Sequence, residues 1–600
     1  MAIYSEETTE IGFGNGLYSA DLPSAIPDGF CAQAVNLVPT GTSVESRYGF
    51  RKSAVDFDYS TTASVDREEV YLSRLESNQA NVLPAMVWGG RNGAVLNNMF
   101  MVRDGSALTN PVTPTITDGY AIINLGALGY FRGAVNYNGR MYFNTTAGVY
   151  RINTVTWSAS PSISSTSVSG PVGTTTPIFH FQDRIWTSKD NIIYYTDAPT
   201  SPGGFPETWN IGANFIVVVG EKGPATIFKI IPYQTRLYIF TNQGLFVLSI
   251  YGAPSDWYLK TADAKVRVNT ISCAFEVSGI IYYICDLGVY ATTGSSTVKL
   301  SGSIENYFLV GNQVSGSETG LRKFTEYRIH YLDGGMVISI SPQILKTSDA
   351  GTPKLFYSGD ECKILYSRTD SVAWSEWEFP PSNWDTDDDL VYDTRINAIV
   401  AVADNISTYV NSSPLSYVWM AHSRSVAGNV IPNLQYPTLE LFNYDGFQDS
   451  WTDYNWLSGA LVVAAGTPIS RFINGLVTSH FFDAGNPLAI KQFKLAFMDM
   501  FMPNPQAYVN KTPALAGAIY WRYRWFTDQR EYTPPTDILY EQAVPDSFAQ
   551  EFSVVKLWSQ FFFRTAQLEI RFSLTGNTNF KIKSAYLKGF TLRDGINQQQ

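Results

Sequence analysis

Four segments of this 600-residue chain align with one another without gaps, and that repeat constrains the fold more than any other feature. They are Arg140–Tyr150, Arg184–Tyr194, Arg236–Phe246 and Ile280–Tyr290. Each has an apolar residue at its second position (Met141, Ile185, Leu237, Ile281) and an aromatic at its third (Tyr142, Trp186, Tyr238, Tyr282). A turn follows, with Gly148, Gly244 and Gly288 at the ninth position of three of the four. An aliphatic and an aromatic then close the unit. This is the pattern of a strand, a tight turn and a second strand. The starts lie 44, 52 and 44 residues apart. A period of about 40–50 residues with one hairpin per repeat marks the blades of a β-propeller. A lone four-stranded sheet leaves one apolar face in water, whereas a ring of sheets covers every face with a neighbour.

The pattern extends in both directions. Residues 86–108 read as an earlier blade, and Tyr327–Ser339 reads as a hairpin around Asp333-Gly334-Gly335. Lys363–Tyr366 and Trp374–Trp377 read as the last strands of a further blade. The expectation is five to seven blades over about residues 80–410. Beyond about residue 440 the period is lost. Longer alternating strands appear at 491–498, 518–526 and 567–573, as in a β-sandwich. The last of these adjoins residues 580–592 across the turn Thr575-Gly576-Asn577, which predicts a strand pair. Asp546–Phe561 carries a weak helical pattern. The fold class expected is all-β: a central β-propeller, an N-terminal assembly arm and a C-terminal β-sandwich-like domain. The boundaries are 1–80 for the arm, 81–410 for the propeller and 411–600 for the C-terminal domain.

Composition narrows the function. Charged residues make up 16 % of the chain and aromatics 14 %, against a typical charged share of about 25 %. Tyr, Trp and Phe are enriched in interface cores, so the surface reads as one buried in an assembly. A net charge of −11 argues against a sequence-reading nucleic-acid binder, which needs a basic stripe. It suits a conduit, whose weakly acidic wall would not hold phosphates. The acidic start Met1–Glu7 lacks the basic and apolar regions of a signal peptide, and no apolar run reaches 18 residues. The expectation is a chain made in a cytoplasm, with no membrane span. Cys31, Cys273, Cys285 and Cys362 form no CxxC and read as buried free thiols.

The N-terminal segment carries a motif. Between Leu22 and Phe50 it sets Asn36, Gly41, Arg47, Gly49 and Phe50 in an order that resembles the opening of tail nozzle proteins of short-tailed bacteriophages, also called tail tubular protein B. Tyr48 stands where that family usually has Pro. The resemblance implies a structural virion protein without catalysis. Such proteins form a ring, usually of six copies, below the portal and adaptor, and they extend the DNA channel, retain the genome and conduct it during ejection. The implied partners are further copies of the chain, the tail adaptor and tail fibres, with genomic DNA passing through the lumen without sequence-specific contact. The implied location is the virion tail. From the residues alone, Arg47 reads as an ion-pair anchor and Gly49 as a turn position needing positive φ; the plainer reading is an ordinary turn entering a strand.

Catalytic motifs do not emerge. There is no GxSxG, P-loop or HExxH, and His180, His330, His422 and His480 are too scattered for a zinc site. No cofactor and no metal are expected. Asp385, Asp387, Asp389 and Asp393 have the spacing of a calcium loop, but Leu390 stands where the sharp turn needs Gly, so a solvated acidic loop is the competing reading. Thr347–Gly351 matches part of an Asp-box turn. Together with Trp- and Tyr-rich loops, it supplies the alternative: a receptor-binding or glycan-cleaving propeller of a phage tail.

Overall fold

The second strand of each repeat-bearing blade is buried at nearly every position, and the computed structural model places both of its faces between neighbouring sheets. The structure describes residues 6–19, 25–58, 71–75, 85–92, 95–103, 120–156, 162–309, 321–347, 353–357, 363–378, 391–402, 416–427, 435–444, 448–451, 454–457, 460–463, 469–483, 490–501, 519–527, 531–532, 553–557, 562–574 and 581–592. Strand is the dominant element; among the described residues, helix is confined to Asn306–Leu309 and short 3-10 turns.

Six successive four-stranded antiparallel meanders come first. Blade 1 runs from Leu72–Leu75 to Tyr120–Asn124, blade 2 from Phe131–Tyr137 to Ser162–Ser167, and blade 3 from Phe179–Phe181 to Phe215–Val217. Blade 4 runs from Ile227–Tyr233 to Tyr258–Asp263, blade 5 from Ala274–Val277 to Thr297–Lys299, and blade 6 from Leu321–Leu332 to Trp374–Glu376. The four repeats are the second and third strands of blades 2 to 5. Residues 85–103 are the same strands of blade 1. The strands at Lys363–Arg368 and Trp374–Glu376, expected to end a separate blade, complete the sheet begun by the Asp333-Gly334 hairpin.

Two-residue turns join the first two strands of several blades. Asn138-Gly139, Gln182-Asp183, Ser278-Gly279 and Asp333-Gly334 all have positive φ at both residues. That is the turn whose twist matches a hairpin.

Side-chain alternation explains the repeat's apolar–aromatic pair. The second-position residue faces the preceding blade and the third-position aromatic faces the following one. Ile185 packs with Tyr142 of blade 2, and Trp186 packs with Leu237 and Ile239 of blade 4. Tyr238 packs with Ile281 and Tyr283 of blade 5, while Tyr282 packs with Ile329 and Met336 of blade 6. Burying a strand on both faces removes the polar alternation expected of a half-exposed one.

Blade 7 closes the ring. It consists of Val391–Val402, Ser416–Ala427 and Gln435–Tyr444, with Phe50–Asp58 as its outer strand. Its first strand lies against the first strands of both blade 6 and blade 1. The seam is therefore fastened by pairing early chain with late chain, from Phe50↔Tyr444 to Asp58↔Thr438. These pairings carry the ring from residue 50 to residue 444, past the boundaries at 80 and 410 read from the period. The seventh blade has no hairpin of the repeat type, so the period could not reach it.

The C-terminal β-sandwich sits beside blades 6 and 7. One sheet has the order Leu37–Pro39, Val44–Ser46, Lys581–Leu592, Ile490–Phe501, Ser553–Leu557, with Glu6–Gly12 also paired to Lys581–Leu592. The other contains Cys31–Val35, Ile469–Ser479, Ala566–Leu574 and Ile519–Thr527. Met498, Met500, Trp525, Leu568, Ile570, Ile582 and Leu587 meet in its core, which is continuous with Trp374, Ile338 and Ile284 of the propeller.

Two expectations fail here. Ser553–Leu557 is a strand on Ala496–Met500, not part of a helix, because Val554, Val555 and Leu557 favour a pleated surface. Strands Ala566–Leu574 and Lys581–Leu592 do not pair. They enter opposite sheets, and their apolar faces meet across the core instead of edge to edge.

The N-terminal segment is woven through the joint. Cys31–Val35 bridges the outer strand of blade 6 to Ile469–Ser479, while Gln448–Trp451 bridges Phe50–Asp58 of blade 7 to the same strand. As a sequence, residues 1–52 could be removed without touching a blade. In the structure they supply three strands of the sandwich sheet, the blade 6 bridge and the start of the closing strand. Deleting residues 1–52 is therefore expected to abolish the cooperative thermal transition of the whole chain, as followed by circular dichroism and intrinsic fluorescence. A truncated chain that melted like the full one would contradict this topology.

Candidate functional site

Arg47, read from sequence as an ion-pair anchor, is fully buried at the joint. Its five N–H donors are all engaged. Nε donates to Asn36 Oδ1 at 2.9 Å. Nη1 donates to Asp449 Oδ1 at 3.0 Å and to the Tyr48 carbonyl at 3.0 Å. Nη2 donates to Asp449 Oδ2 at 2.6 Å and to the Glu378 carbonyl at 2.9 Å. The Arg–carboxylate pair is a two-pronged fork, the geometry that best repays the desolvation of both charges. Asp449 also accepts from the Phe50 amide at 2.9 Å.

Asn36 completes the clasp. Its side-chain oxygen accepts from the Glu378 amide at 2.9 Å, and its side-chain nitrogen donates to the Asn474 carbonyl at 2.7 Å. One residue thus ties the N-terminal segment, blade 6 and the sandwich. Its φ of 57° lies in the left-handed region that Asn tolerates. The positive φ expected at Gly49 is found at Asn36 and at Gly41, whose φ is 87°. Phe50 and Trp377 flank the guanidinium, with their ring centres 5.9 and 5.6 Å from Arg47 Cζ. Trp377 stacks on Tyr366 at 4.2 Å and donates to the Leu37 carbonyl at 2.9 Å.

Of the five motif residues, Asn36, Arg47 and Phe50 therefore converge, Gly49 is buried beside them, and Gly41 lies apart in the exposed turn between two sandwich strands. Sequence reasoning missed Asp449, which is 402 positions from its partner and belongs to no motif.

A second polar cluster lies at the propeller axis, where the first strands of the blades converge. Along the first strand of blade 6, Glu326, Arg328 and His330 alternate on one face and are all buried. Arg328 Nη2 pairs with Glu326 at 3.1 Å. Burial, then the charges of Arg328 and of Lys229 on blade 4, push the His330 imidazole down to about 3, so it is neutral. The period-2 run of Glu, Arg and His was the available sequence signal for this face.

The remaining sequence candidates stay apart. His180 lies on blade 3 and His422 on blade 7, while His480 contacts Asp28 at 2.9 Å beside the sandwich. Cys31, Cys273 and Cys285 are buried free thiols; Cys362 lies outside the described residues. The aspartates 385, 387 and 389 and most of the Asp-box fragment also lie outside them. Among the described residues, no three His, Cys, Asp or Glu side chains gather as metal ligands, and no helix is long and apolar enough to cross a membrane.

The outer strands differ around the ring. Blade 2 ends in the polar strand Ser162–Ser167, whereas Phe215 and Val217, Tyr258, and Val298 are exposed on the outer strands of blades 3, 4 and 5. Tyr251, 82 % exposed, adds to this rim.

No family model and no curated protein matches the chain. Solved structures show weak similarity. The S. cerevisiae core factor aligns at 8 % identity over 66 % of this chain and 60 % of that one, with a TM-score of 0.29. The AfRom2 CNH domain aligns at 11 % identity over 52 % and 94 %, with a TM-score of 0.25. The computationally designed Ika8 protein aligns at 9 % identity over 53 % and 100 %, with a TM-score of 0.24. None of these scores carries an argument about function.

The clasp makes a quantitative prediction. Asp449→Ala removes the buried carboxylate that accepts both prongs of the Arg47 fork, which should cost about 3–5 kcal/mol in urea unfolding. Arg47→Met combined with Asp449→Leu should recover a substantial part of that loss. Equal destabilisation by the single and double changes would show that the charge pair is not what holds the joint.

Proposed function

We propose that this chain is a non-catalytic structural subunit of a virus particle, acting as the tail nozzle of a short-tailed bacteriophage. Copies form a ring below portal and adaptor that extends the DNA channel, retains the genome and conducts it at ejection. One observation carries the assembly part of this reading. The outer strands of blades 3 to 5 expose Phe215, Val217, Tyr258 and Val298 on a chain with few charges, whereas those of blades 6 and 7 are covered by the sandwich. Free strand edges bearing apolar side chains invite partners unless they are covered. The N-terminal motif supports the family, and its buried clasp suits a body that must hold its shape under a packed genome. In this reading the motif residues act within the subunit, and contact with other copies falls to the exposed rim.

Tyr258→Asp combined with Val298→Asp is expected to shift the purified protein from ring to monomer in light scattering, with the melting temperature unchanged. Immunogold labelling of virions with antibodies to residues 440–600 is expected on the tail axis. Label confined to lateral appendages would instead identify a receptor-binding protein.

A further inference from the structure

A loop without regular structure, residues 196–214, joins the third strand of blade 3 to its outer strand, and it is longer than the same connection in blades 2, 4 and 5. Loops of such length inside a compact domain usually carry a role of their own. This one folds back over blade 2. Phe205 and Trp209 pack on Tyr137, Tyr142 and Val149 of blade 2 and on Ile178 and Ile185 at blade 3, so the loop covers the apolar groove between the two blades. The Arg140 guanidinium lies over the Phe205 ring, 3.3 Å from its centre.

Among the described residues, every hydrogen bond between this loop and blade 2 ends on one carboxylate. Glu207 accepts from Arg140 Nη1 at 2.9 Å, from the Tyr142 hydroxyl at 2.8 Å and from Arg151 Nη1 at 3.0 and 3.2 Å. The other bonds stay inside the loop or its own blade. The Asp197 amide donates to the Thr208 carbonyl at 2.9 Å, the Asn214 side chain to Asp197 Oδ1 at 2.7 Å, and the Asn214 amide to the Asn210 carbonyl at 2.7 Å. The ends are fastened to blade 3, where the Thr196 amide donates to the Ile185 carbonyl at 3.1 Å and the Tyr195 amide to the Asn214 carbonyl at 3.2 Å. The loop is thus a self-folded unit rooted in blade 3, and it meets blade 2 through apolar packing and a single polar lock. The packing carries a cost of its own: Trp209 Nε1 is buried without a hydrogen-bond partner, a donor that water would satisfy if the loop lifted.

We propose that residues 196–214 form a detachable strap over the groove between blades 2 and 3, locked by the Glu207 carboxylate and released as a unit when that carboxylate is neutralised. All contacts to Glu207 from blade 2 are charge-assisted, so neutralising it weakens them together. The groups facing it are Arg140 and Tyr142 from the second strand of blade 2 and Arg151 from the third. Burial pushes the Glu207 carboxyl up, but the bonds from Tyr142, Arg140 and Arg151 outweigh it and hold the group below the usual glutamate range. Burial, then Glu207, pushes the Tyr142 phenol up, so it stays a donor. Docking is therefore complete above the ordinary glutamate value and is lost as pH falls through the lowered one. The strap is shut at neutral pH and opens in acid. It is independent of the nozzle reading, because it uses none of Phe215, Val217, Tyr258 and Val298.

The test is hydrogen–deuterium exchange of the full-length protein at neutral pH, read by mass spectrometry over residues 196–214 and over the strands of blades 2 and 3. Glu207→Gln keeps the shape of the side chain and removes its charge. It should speed exchange across 196–214 at least about tenfold, the factor expected for losing one charge-assisted contact. Strands Arg140–Thr145 and Arg184–Lys189 should exchange as in the wild type. The Trp209 emission, taken as the difference from Trp209→Phe, should shift to the red as pH falls, ahead of unfolding of the whole chain. In Glu207→Gln it should be shifted already at neutral pH. Unchanged exchange over 196–214 in Glu207→Gln would overturn the proposal, as would a rise shared equally by the blade strands. So would a Trp209 signal that moves only when the whole chain unfolds.

Discussion

A blade with two apolar faces cannot stop at the end of a row. Each sheet from blade 1 to blade 6 depends on neighbours for burial, so the structure depends on the seam, where Phe50–Asp58 completes a sheet made otherwise of residues 391–444. The backbone pairing there settles where the first fifty residues must go. They have to run from the sandwich, past blade 6, to the outer edge of blade 7, and the Arg47–Asp449 fork stands at the point where those paths cross. Burying that pair makes sense only because the fork, Asn36 and two carbonyls leave no donor idle.

The joint makes propeller and sandwich one body. Strand Ile469–Ser479 takes the extension of blade 7 along its first half and that of blade 6 along its second. The hydrophobic core likewise runs without a break from Ile284 through Trp374 to Trp525. A hinge between the two parts would have to break strand pairing and open that core. For the proposed role, this places rigidity within the subunit and leaves adaptation to contacts between subunits.

The repeated blades were legible because their physics is local. A strand buried on both faces, a tight turn and a second strand leave a signature about eleven residues long, and it recurs. The sandwich was legible as alternating strands, but its pairing was not, because alternation reports that a face is buried and not which sheet buries it. That is why residues 567–592 read as a hairpin and instead face each other. The seventh blade escaped because its second and third strands, Ser416–Ala427 and Gln435–Tyr444, do not carry the eleven-residue hairpin pattern, and its outer strand comes from residues 50–58. The motif residues stood out in sequence, but their role did not: Asp449 lies 402 residues from Arg47. The axial cluster was visible as Glu326-Tyr-Arg328-Ile-His330, but that its face is buried against the propeller axis was not.

The pairing of Glu6–Gly12 with Ser584–Phe590 has a consequence in time. A ribosome adding about 5–20 residues each second would need on the order of 20–80 s to travel from Phe50 to its partner Tyr444, and longer to deliver the last strand. Throughout that interval the first strands of the finished protein have no place to bind. The first of them carries Glu6, Glu7 and Glu10, whereas Cys31–Val35 and Leu37–Pro39 are mostly apolar and wait without the core that later buries them. The blades can stack in order as they emerge, but the native state forms only once residues 581–592 have emerged. Chains that stop before residue 435 lack the closed ring, chains that stop before residue 581 lack the finished sandwich, and loss of residues 581–592 should be as damaging as the loss of a blade.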